Sequence, residues 1–214
     1  MEKVAIFDLD GTILDTKEDI ADCMNKTIVN FGYQPRSYAD YKQVIGNDAV
    51  NFMRTLLGDL PVEKLMEIWC SYEKVYDRYG IVKTKLFDDV KDVLTTLKGR
   101  GYKLSLLTNK TPEELAPFIP AFFIDLPFDD IVGVGNTDSA KPSPKEVFRI
   151  LSDFGVEKEN TYLIGDGETD ILAAINAHIT PIAALWGNRS REQLEAVGAK
   201  IFVKSPSEIL TVLK

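Results

Sequence analysis

Histidine, cysteine and long apolar runs are scarce in this chain of 214 residues. A single histidine, His178, cannot by itself form a histidine-rich zinc site, and a Ser-His-Asp triad would have to use that one position. Cys23 and Cys70 are too few for a disulfide framework, which favours a reducing compartment. No apolar run approaches the roughly 20 residues of a membrane span, and Glu2 and Lys3 lead directly into a strand too short for a signal peptide. We therefore expect a cytoplasmic protein.

Positive charge is also in deficit. Lysine and arginine number 25 against 33 aspartate and glutamate residues, so the net charge is -8 and the pI is near 4.8. This balance argues against nucleic acid or an anionic membrane surface as the main partner. A small anionic substrate is compatible with it where positive charge is concentrated locally. With 45% hydrophobic residues the chain can form one large domain, or a core domain and a smaller one.

The first motif is an apolar run, residues 4–7, that ends in Asp8, Asp10 and Gly11. A short run of this kind predicts a buried parallel strand. Because side chains alternate along a strand, we expect Asp8 and Asp10 to project to the same side, at the sheet edge where α/β folds bind ligands. Two acids there suit Mg²⁺ and a nucleophilic carboxylate. The alternative is an Asx turn that ends the strand, with the two acids incidental.

The pattern then changes twice along the chain. Residues 15–80 predict helices only, near residues 16–30, 39–45, 49–57 and 62–79, which is too long for a loop and suits an inserted subdomain. From residue 87 onward strands and helices alternate, as in a doubly wound parallel sheet. We therefore predict an α/β core domain, residues 1–14 and 81–214, with an all-helical cap domain, residues 15–80, inserted after the first strand.

Polar residues recur at the ends of the later predicted strands. They are Thr108, Asn109, Lys141, Asp166 and Asp170. In a doubly wound sheet these strand ends lie along one edge, so the groups are expected to converge with the two aspartates of the first strand. The carboxylates provide oxygen ligands for Mg²⁺. The hydroxyl, a backbone amide and the lysine can bind a phosphoryl group.

With these motifs in this order, the chain resembles the haloacid dehalogenase superfamily of phosphohydrolases. It is most similar to the phosphoglycolate phosphatase-like branch, which carries an inserted helical cap. The motifs that carry the resemblance are Asp8-Leu9-Asp10-Gly11-Thr12, Thr108-Asn109, Lys141 in Lys-Pro-Ser-Pro, and Gly165-Asp166 followed by Asp170.

The resemblance implies a Mg²⁺-dependent phosphatase that acts on a small phosphorylated metabolite through an aspartyl phosphate. Asp8 would attack phosphorus, and Asp10 would protonate the leaving group and then deprotonate the attacking water. Mg²⁺ would bind the Asp8 carboxylate, the Asp10 main-chain carbonyl and Asp166. Phosphoryl transfer depends mainly on positioning and charge stabilisation, which this arrangement would supply.

The resemblance also assigns the phosphate-binding groups. Thr108 and the backbone amide of Asn109 would hold the phosphoryl oxygens, and Lys141 would neutralise charge and orient Asp8. Asp170 has three alternatives: it binds a metal-coordinated water, pairs with Lys141, or caps its helix.

Three other functions compete with this hypothesis. A phosphomutase of the same fold, similar to beta-phosphoglucomutase, would use the same residues. A phospho-accepting regulatory domain also groups acids with Thr and Lys at strand ends, but it would need neither an acid/base beside the nucleophile nor a cap. A protein that only binds would not need the intact set of acids and lysine. The sequence identifies neither the substrate nor whether the protein is a monomer or a homodimer.

Some residues of the chain have weaker hypotheses. Arg54, on the predicted helix near residues 49–57, is a possible ligand for a substrate carboxylate or second anion, and the alternative is a solvated arginine. Lys110 follows Thr108-Asn109 and could add charge to the site, although a lysine after a strand is commonly exposed. Four aromatic residues at spacings of three and four predict a packing stripe rather than a ligand cage: Trp69, Tyr72, Tyr76 and Tyr79.

Overall fold

The computed structural model describes residues 2–134 and 138–214, which form a parallel sheet with helices on both faces and a helical block after the first strand. The strands are β1 (Lys3–Phe7), β2 (Leu14–Asp15), β3 (Lys85–Leu86), β4 (Tyr102–Thr108), β5 (Asp130–Gly133), β6 (Thr161–Gly165), β7 (Thr180–Ala184) and β8 (Phe202–Val203). The α-helices are α1 (Lys17–Asn30), α2 (Tyr38–Lys42), α3 (Ala49–Leu57), α4 (Val62–Tyr79), α5 (Val90–Gly99), α6 (Pro112–Leu115), α7 (Lys145–Phe154), α8 (Glu168–Ala177), α9 (Arg191–Ala196) and α10 (Ile209–Val212).

The main sheet has the strand order β5-β4-β1-β6-β7-β8, and every neighbouring pair is parallel. In β1, Val4 and Ile6 pack with the cluster that includes residues of α7 and α8, whereas Ala5 and Phe7 pack with the cluster that includes residues of α5. Both faces of the strand are therefore covered, which explains why its sequence is continuously apolar. This confirms the predicted doubly wound α/β fold and places the C-terminal end of β1 near the middle of one sheet edge.

The helical block consists of α1 to α4, and α1 packs along α4. On α4 the buried side chains recur every three or four residues, at Leu65, Ile68, Tyr72 and Tyr76, so one face of the helix is apolar. Helix α3 begins where the Asp48 carboxylate accepts hydrogen bonds from the backbone amides of residues 50 and 51, both at 3.1 Å. The four helices agree with the prediction, and the division of the chain into a core domain and a cap domain stays a prediction.

Two short connections join the helical block to the sheet, and they lie side by side. Strands β2 and β3 pair antiparallel, with Leu14 opposite Leu86. Behind them the buried Asp19 carboxylate accepts hydrogen bonds from the backbone amides of Val82, Lys83 and Thr84 at 2.7 to 3.1 Å. The entry to and the exit from the helical block are thereby fastened to each other. The sequence did not predict this pairing because two-residue strands have no readable periodicity.

Some element boundaries differ from the sequence-based expectation. The segment between β4 and β5 is not one regular helix: it consists of α6 and a π-helical turn, Ile119–Phe123, with Pro117 and Pro120 in or beside the interruption. The predicted helix near residues 39–45 is only α2, which ends at Lys42. Within the described residues, no helix combines the length and the apolar character needed to cross a membrane.

Candidate active site

Three buried carboxylates meet at the C-terminal ends of β1 and β6. Asp8 follows β1, Asp166 follows β6, and Asp170 lies in the first turn of α8. One oxygen from each lies within 4.8 Å of the other two. The predicted convergence of polar strand ends is therefore present in the fold, although β1 ends at Phe7, before either of its following aspartates.

Lys141 lies between two of these carboxylates. Its Nζ donates to Asp8 Oδ1 and Asp170 Oδ1, both at 2.6 Å, and to the main-chain carbonyl of Leu107 at 2.8 Å. Burial alone would lower the pKa of Lys141, but the charges of Asp170 and Asp8 outweigh it and raise the pKa above its ordinary value. The ammonium group therefore stays charged, and its three donors are all used.

Asp170 combines two of the alternatives left open by the sequence. Its Oδ1 accepts from Lys141, and its Oδ2 accepts from the backbone amide of Gly167 at 3.0 Å, at the start of α8. The carboxylate thus pairs with the lysine and caps the helix at once. Its third alternative, a contact with a metal-bound water, stays a prediction.

The carboxylates outnumber the positive charge beside them. Burial, followed by the charge of Asp170, raises the pKa of Asp8 well above its ordinary value despite the opposing charge of Lys141. Burial and Asp170 also raise the pKa of Asp166 to about 6. Three ionised carboxylates and one ammonium leave an excess of two negative charges in a buried site. The oxygen donor set and this excess fit a divalent cation such as Mg²⁺.

Asp166 is held from both sides by hydrogen-bond donors. Thr12 Oγ1 donates to Oδ1 at 3.1 Å, while the backbone amide and side-chain amide of Asn188 donate to Oδ2 at 2.6 and 2.9 Å. Gly11 makes this contact possible: it has a φ of 91°, and a Cβ there would overlap the Asp166 carboxylate. The turn after β1 and the loop after β7 together fix the orientation of this side chain.

The Asp10 side chain has a different set of partners from Asp8. Its Oδ1 accepts from Thr16 Oγ1 at 2.6 Å, and its Oδ2 lies 3.1 Å from Lys110 Nζ. The Asp10 and Lys110 side chains are each only 10% exposed. Of the two alternatives that the sequence left for Lys110, an exposed lysine does not describe this position, and the ammonium instead adds charge beside Asp10. The lysine is buried because α4 and the segment after α6 cover it: its Nζ lies 5.3 Å from the centre of the Tyr76 ring and 5.6 Å from that of Phe118.

Thr108 and Asn109 lie beside these acids at the end of β4. Thr108 is buried, and its hydroxyl accepts from the backbone amide of Lys110 at 3.2 Å. The Asn109 side chain donates to the carbonyls of Gly46 and Lys141 at 3.0 and 3.1 Å, and accepts from the Lys141 amide at 2.8 Å. Its side chain therefore fixes the loop geometry, so any contact with a ligand falls to its backbone amide.

A cavity of about 220 Å³ connects these residues with the helical block. Asp8, Asp10, Thr108, Asn109 and Lys110 line one side of it. Aromatic and acidic side chains also line it: Phe52, Trp69, Tyr72 and Glu73 from the helical block, Asp48 before α3, and Glu114 from α6. Part of the aromatic stripe on α4 thus both packs and lines the cavity.

Arg54 is not among the described residues that line this cavity. Its side chain is 43% exposed, and its nearest acidic partner is the exposed Asp59, with a separation of 3.6 Å. The structure does not bring Arg54 to the other predicted site residues. The alternative that the sequence offered, a solvated arginine, describes this position.

One buried arginine links the loop after β7 to the helical block. Arg189 donates to the main-chain carbonyls of Lys42, Gln43 and Ile45, with 3.0 and 3.2 Å for the last two, and its Nε lies 2.5 Å from Glu168. Its side chain is 3% exposed. Nearby, the carbonyl of Gly46 accepts from Asn109 and from Thr169. The segment 42–46 is thereby held against the loops that carry the carboxylates.

Sequence reasoning missed several of these groups. Asn188 and Arg189 follow β7 in the same way that the predicted site residues follow β1, β4 and β6, so the rule on polar strand ends would have identified them. Thr12 was part of the quoted motif but received no role. Thr16 received no functional role either; it is the residue before α1, and its hydroxyl donates to Asp10.

Comparison with known proteins identifies the family to which the sequence is related. The sequence matches the family model of the haloacid dehalogenase-like hydrolases over residues 5–184. It is 31% identical over 185 residues to a phosphoglycolate phosphatase of Aquifex aeolicus, which covers 86% of this chain and 85% of that protein. A phosphoglycolate phosphatase of Colwellia psychrerythraea is 27% identical over 220 residues, and this match covers 100% of this chain and 97% of that protein.

Solved structures resemble the fold closely. A haloacid dehalogenase-like family hydrolase of Streptococcus pneumoniae superposes with a TM-score of 0.88 at 22% identity, covering 99% of this chain and 98% of that one. A hydrolase of Pseudomonas syringae gives a TM-score of 0.83 at 21% identity, covering 99% and 97%. At these identities the two likenesses establish the fold alone.

Proposed function

Because this chain belongs to the haloacid dehalogenase-like hydrolases and is a phosphatase of that family, we propose that it hydrolyses a small, phosphoglycolate-like phosphomonoester with Mg²⁺ through an aspartyl phosphate. The observation that carries this proposal is the placement of Asp8. Its carboxylate lies at the end of a buried central strand, lines the cavity, and is held by Lys141 at 2.6 Å. A nucleophile needs this fixed orientation toward a bound phosphorus.

The first half of the reaction would transfer the phosphoryl group to Asp8. An Asp8 oxygen forms a bond to phosphorus while the bond from phosphorus to the ester oxygen breaks. Asp10, which lines the same cavity, gives a proton to the departing ester oxygen, so the leaving group departs as an alcohol. In the second half, Asp10 removes a proton from water as the water oxygen bonds to phosphorus and the bond from phosphorus to the Asp8 oxygen breaks, which releases phosphate and restores the Asp8 carboxylate.

Binding groups for the phosphoryl oxygens would come from the end of β4. Thr108 is fixed by burial, and the Asn109 backbone is fixed by the three hydrogen bonds of its own side chain. Lys141 would neutralise charge next to Asp8 through all stages, since its pKa is raised by the two carboxylates it bonds. Positioned donors of this kind stabilise the charge that develops in the transition state.

The metal-binding residues would be Asp8, the Asp10 main-chain carbonyl and Asp166. When bound, Mg²⁺ would neutralise the excess negative charge of the site and polarise a phosphoryl oxygen. The chain's own contribution is orientation: Thr12 and Asn188 hold Asp166, and Lys141 holds Asp8.

The test is a phosphate-release assay on a panel of small phosphomonoesters with Mg²⁺ and with excess chelator. We expect activity with Mg²⁺, none with chelator, and none for Asp8→Asn, which preserves the volume of the side chain but removes the nucleophile. Acid quench and peptide mass analysis should find phosphate on Asp8 during turnover. Full activity in chelator, or substantial turnover by Asp8→Asn, would contradict the mechanism.

A further inference from the structure

Lys110 has a place in the site that the mechanism above does not use. Among the cavity-lining residues in the described part of the chain, Lys110 is the one with a cationic side chain. Its ammonium is 3.1 Å from the Asp10 carboxylate, and the rings of Tyr76 and Phe118 lie at 5.3 and 5.6 Å. The apolar rings and the ion pair hold the ammonium at the acid/base end of the cavity.

The two lysines of the site differ in how many donors their contacts use. Lys141 spends three donors on Asp8, Asp170 and the Leu107 carbonyl. The described contacts of Lys110 use one donor, toward Asp10, out of the three that an ammonium has. Lys110 therefore retains the capacity to bind a second anion at the same point in the cavity.

Position decides which anion this is. During protonation the ester oxygen must lie within hydrogen-bond reach of Asp10, about 2.6–3.2 Å. A carboxylate attached to the same carbon as this ester oxygen is then held close to Asp10, and therefore beside Lys110 Nζ. A carboxylate one methylene further away is separated from the ester oxygen by an additional carbon–carbon bond, so it is no longer held beside Lys110 Nζ.

The charges around Lys110 are mostly negative. Burial alone would lower the pKa of Lys110, but the charges of Asp10 and Glu114 are among those that outweigh it and raise the pKa above its ordinary value. Glu114 accepts from the Thr111 amide at 2.7 Å, so it is fixed in place. The ammonium therefore stays charged, and an anion in this part of the cavity is stabilised where it contacts Lys110 itself.

We propose that Lys110 is the specificity-determining residue of this phosphatase and selects α-phosphoryloxy carboxylates, in which the carboxylate is bonded to the carbon that bears the phosphate. This inference rests on the proposed function and deepens it. Lys110 binds the carboxylate of the leaving group, while Asp10 protonates the ester oxygen next to it. Neutral, cationic and longer anionic leaving groups lose that contact.

The experiment compares four phosphomonoesters with the wild-type enzyme. They are 2-phosphoglycolate, 2-hydroxyethyl phosphate with a neutral leaving group, 2-aminoethyl phosphate with a cationic leaving group, and the longer ester 3-(phosphonooxy)propanoate. A hydrogen bond to a charged group accounts for a preference of about 10- to 100-fold in kcat/KM for 2-phosphoglycolate over the neutral ester. Equal rates for these two, or a preference for the cationic ester, would overturn the inference and leave the phosphatase proposal standing. Absence of hydrolysis of all four would instead count against the proposed function.

Variants of Lys110 then distinguish two roles of this residue: recognition of the substrate carboxylate and support of Asp10. Lys110→Met should remove the preference for 2-phosphoglycolate, mainly by raising its KM, and Lys110→Arg should restore part of it. The matched control is Lys91→Met, because Lys91 is exposed on α5, away from the cavity. If Lys110→Met lowers kcat/KM equally for all four esters, the lysine only supports Asp10 and the inference is wrong.

Discussion

The raised pKa of the buried Asp166 carboxyl predicts that the metal-free protein becomes less stable as pH rises. Burial and the neighbouring Asp170 raise the pKa of Asp166 to about 6, against an ordinary value of 3.8. The folded protein therefore holds a proton on Asp166 more tightly than the unfolded chain does. The stability that this proton contributes is fully present below pH 3.8 and is lost as pH rises through about 6.

The difference between the two pKa values gives the size of the effect. At about 1.4 kcal/mol for each pH unit, it corresponds to about 3 kcal/mol over the whole window. Between pH 5 and pH 7.5, a range that avoids general acid unfolding, the loss is about 1.4 kcal/mol. For a chain of this size that is a fall in Tm of about 3–5 °C.

Asp166→Asn isolates this contribution from the other titrating groups. An asparagine fits the site, because its Oδ1 can take the two hydrogen bonds from Asn188 and its amide can donate to the Thr12 hydroxyl, which rotates to accept. Metal-free wild type and Asp166→Asn should be followed by thermal unfolding in chelator from pH 5 to 7.5. The difference in Tm between them should shift in favour of the variant as pH rises.

Mg²⁺ should reverse the trend. It favours ionised carboxylates, so it should raise the Tm of the wild type more at pH 7.5 than at pH 5, and it should have little effect on Asp166→Asn. The reasoning is refuted if the Tm difference between the two metal-free proteins is constant across this range, since Asp166 would then be ionised in the folded protein throughout.

Three further predictions concern other parts of the molecule. Asp10→Asn should slow water attack on the aspartyl phosphate by about 10²–10⁴-fold, so mixing with p-nitrophenyl phosphate and Mg²⁺ should give a burst of one nitrophenolate per site; a linear time course without covalent phosphate would contradict this. Arg189→Met should lower the free energy of unfolding by about 2–3 kcal/mol, because buried carbonyl groups lose their hydrogen-bond donor. Urea unfolding followed by Trp69 and Trp186 fluorescence measures this, and an unchanged urea midpoint would contradict it. Arg54→Ala should leave kcat/KM unchanged for the best substrate, since Arg54 lies outside the cavity lining; a fall beyond about tenfold would restore the substrate-binding hypothesis.

The parts of this molecule that the sequence predicts are those governed by local pattern. Periodicity distinguishes the helical block from the alternating remainder, and the parallel sheet follows from that alternation. The sheet in turn requires that residues following its strands share an edge, which is why Asp8, Asp166 and Lys141 were predicted to meet. No long-range information was needed for this step beyond the topology itself.

The parts that were missed depend on how distant segments pack. A lysine that is buried has the same local sequence as one that is exposed, and Lys110 is enclosed by Tyr76, which lies 34 positions earlier in the chain. The contacts of Arg189 likewise form only after the segment 42–46 has docked onto the sheet edge. Asp19, buried beneath the junction, binds backbone amides more than 60 positions away.

The way Arg189 holds the helical block has a consequence for sequence variation. Its guanidinium binds the carbonyl oxygens at positions 42, 43 and 45, and these atoms are the same for every amino acid. Substitutions at these positions that preserve the backbone path therefore leave the interface intact, whereas Arg189 itself is constrained by its fork of donors. During evolution the docked segment is thus free to diverge while the docking is retained. Related proteins with different substrates can exchange side chains around the cavity without having to evolve a new way of attaching the helices that carry them.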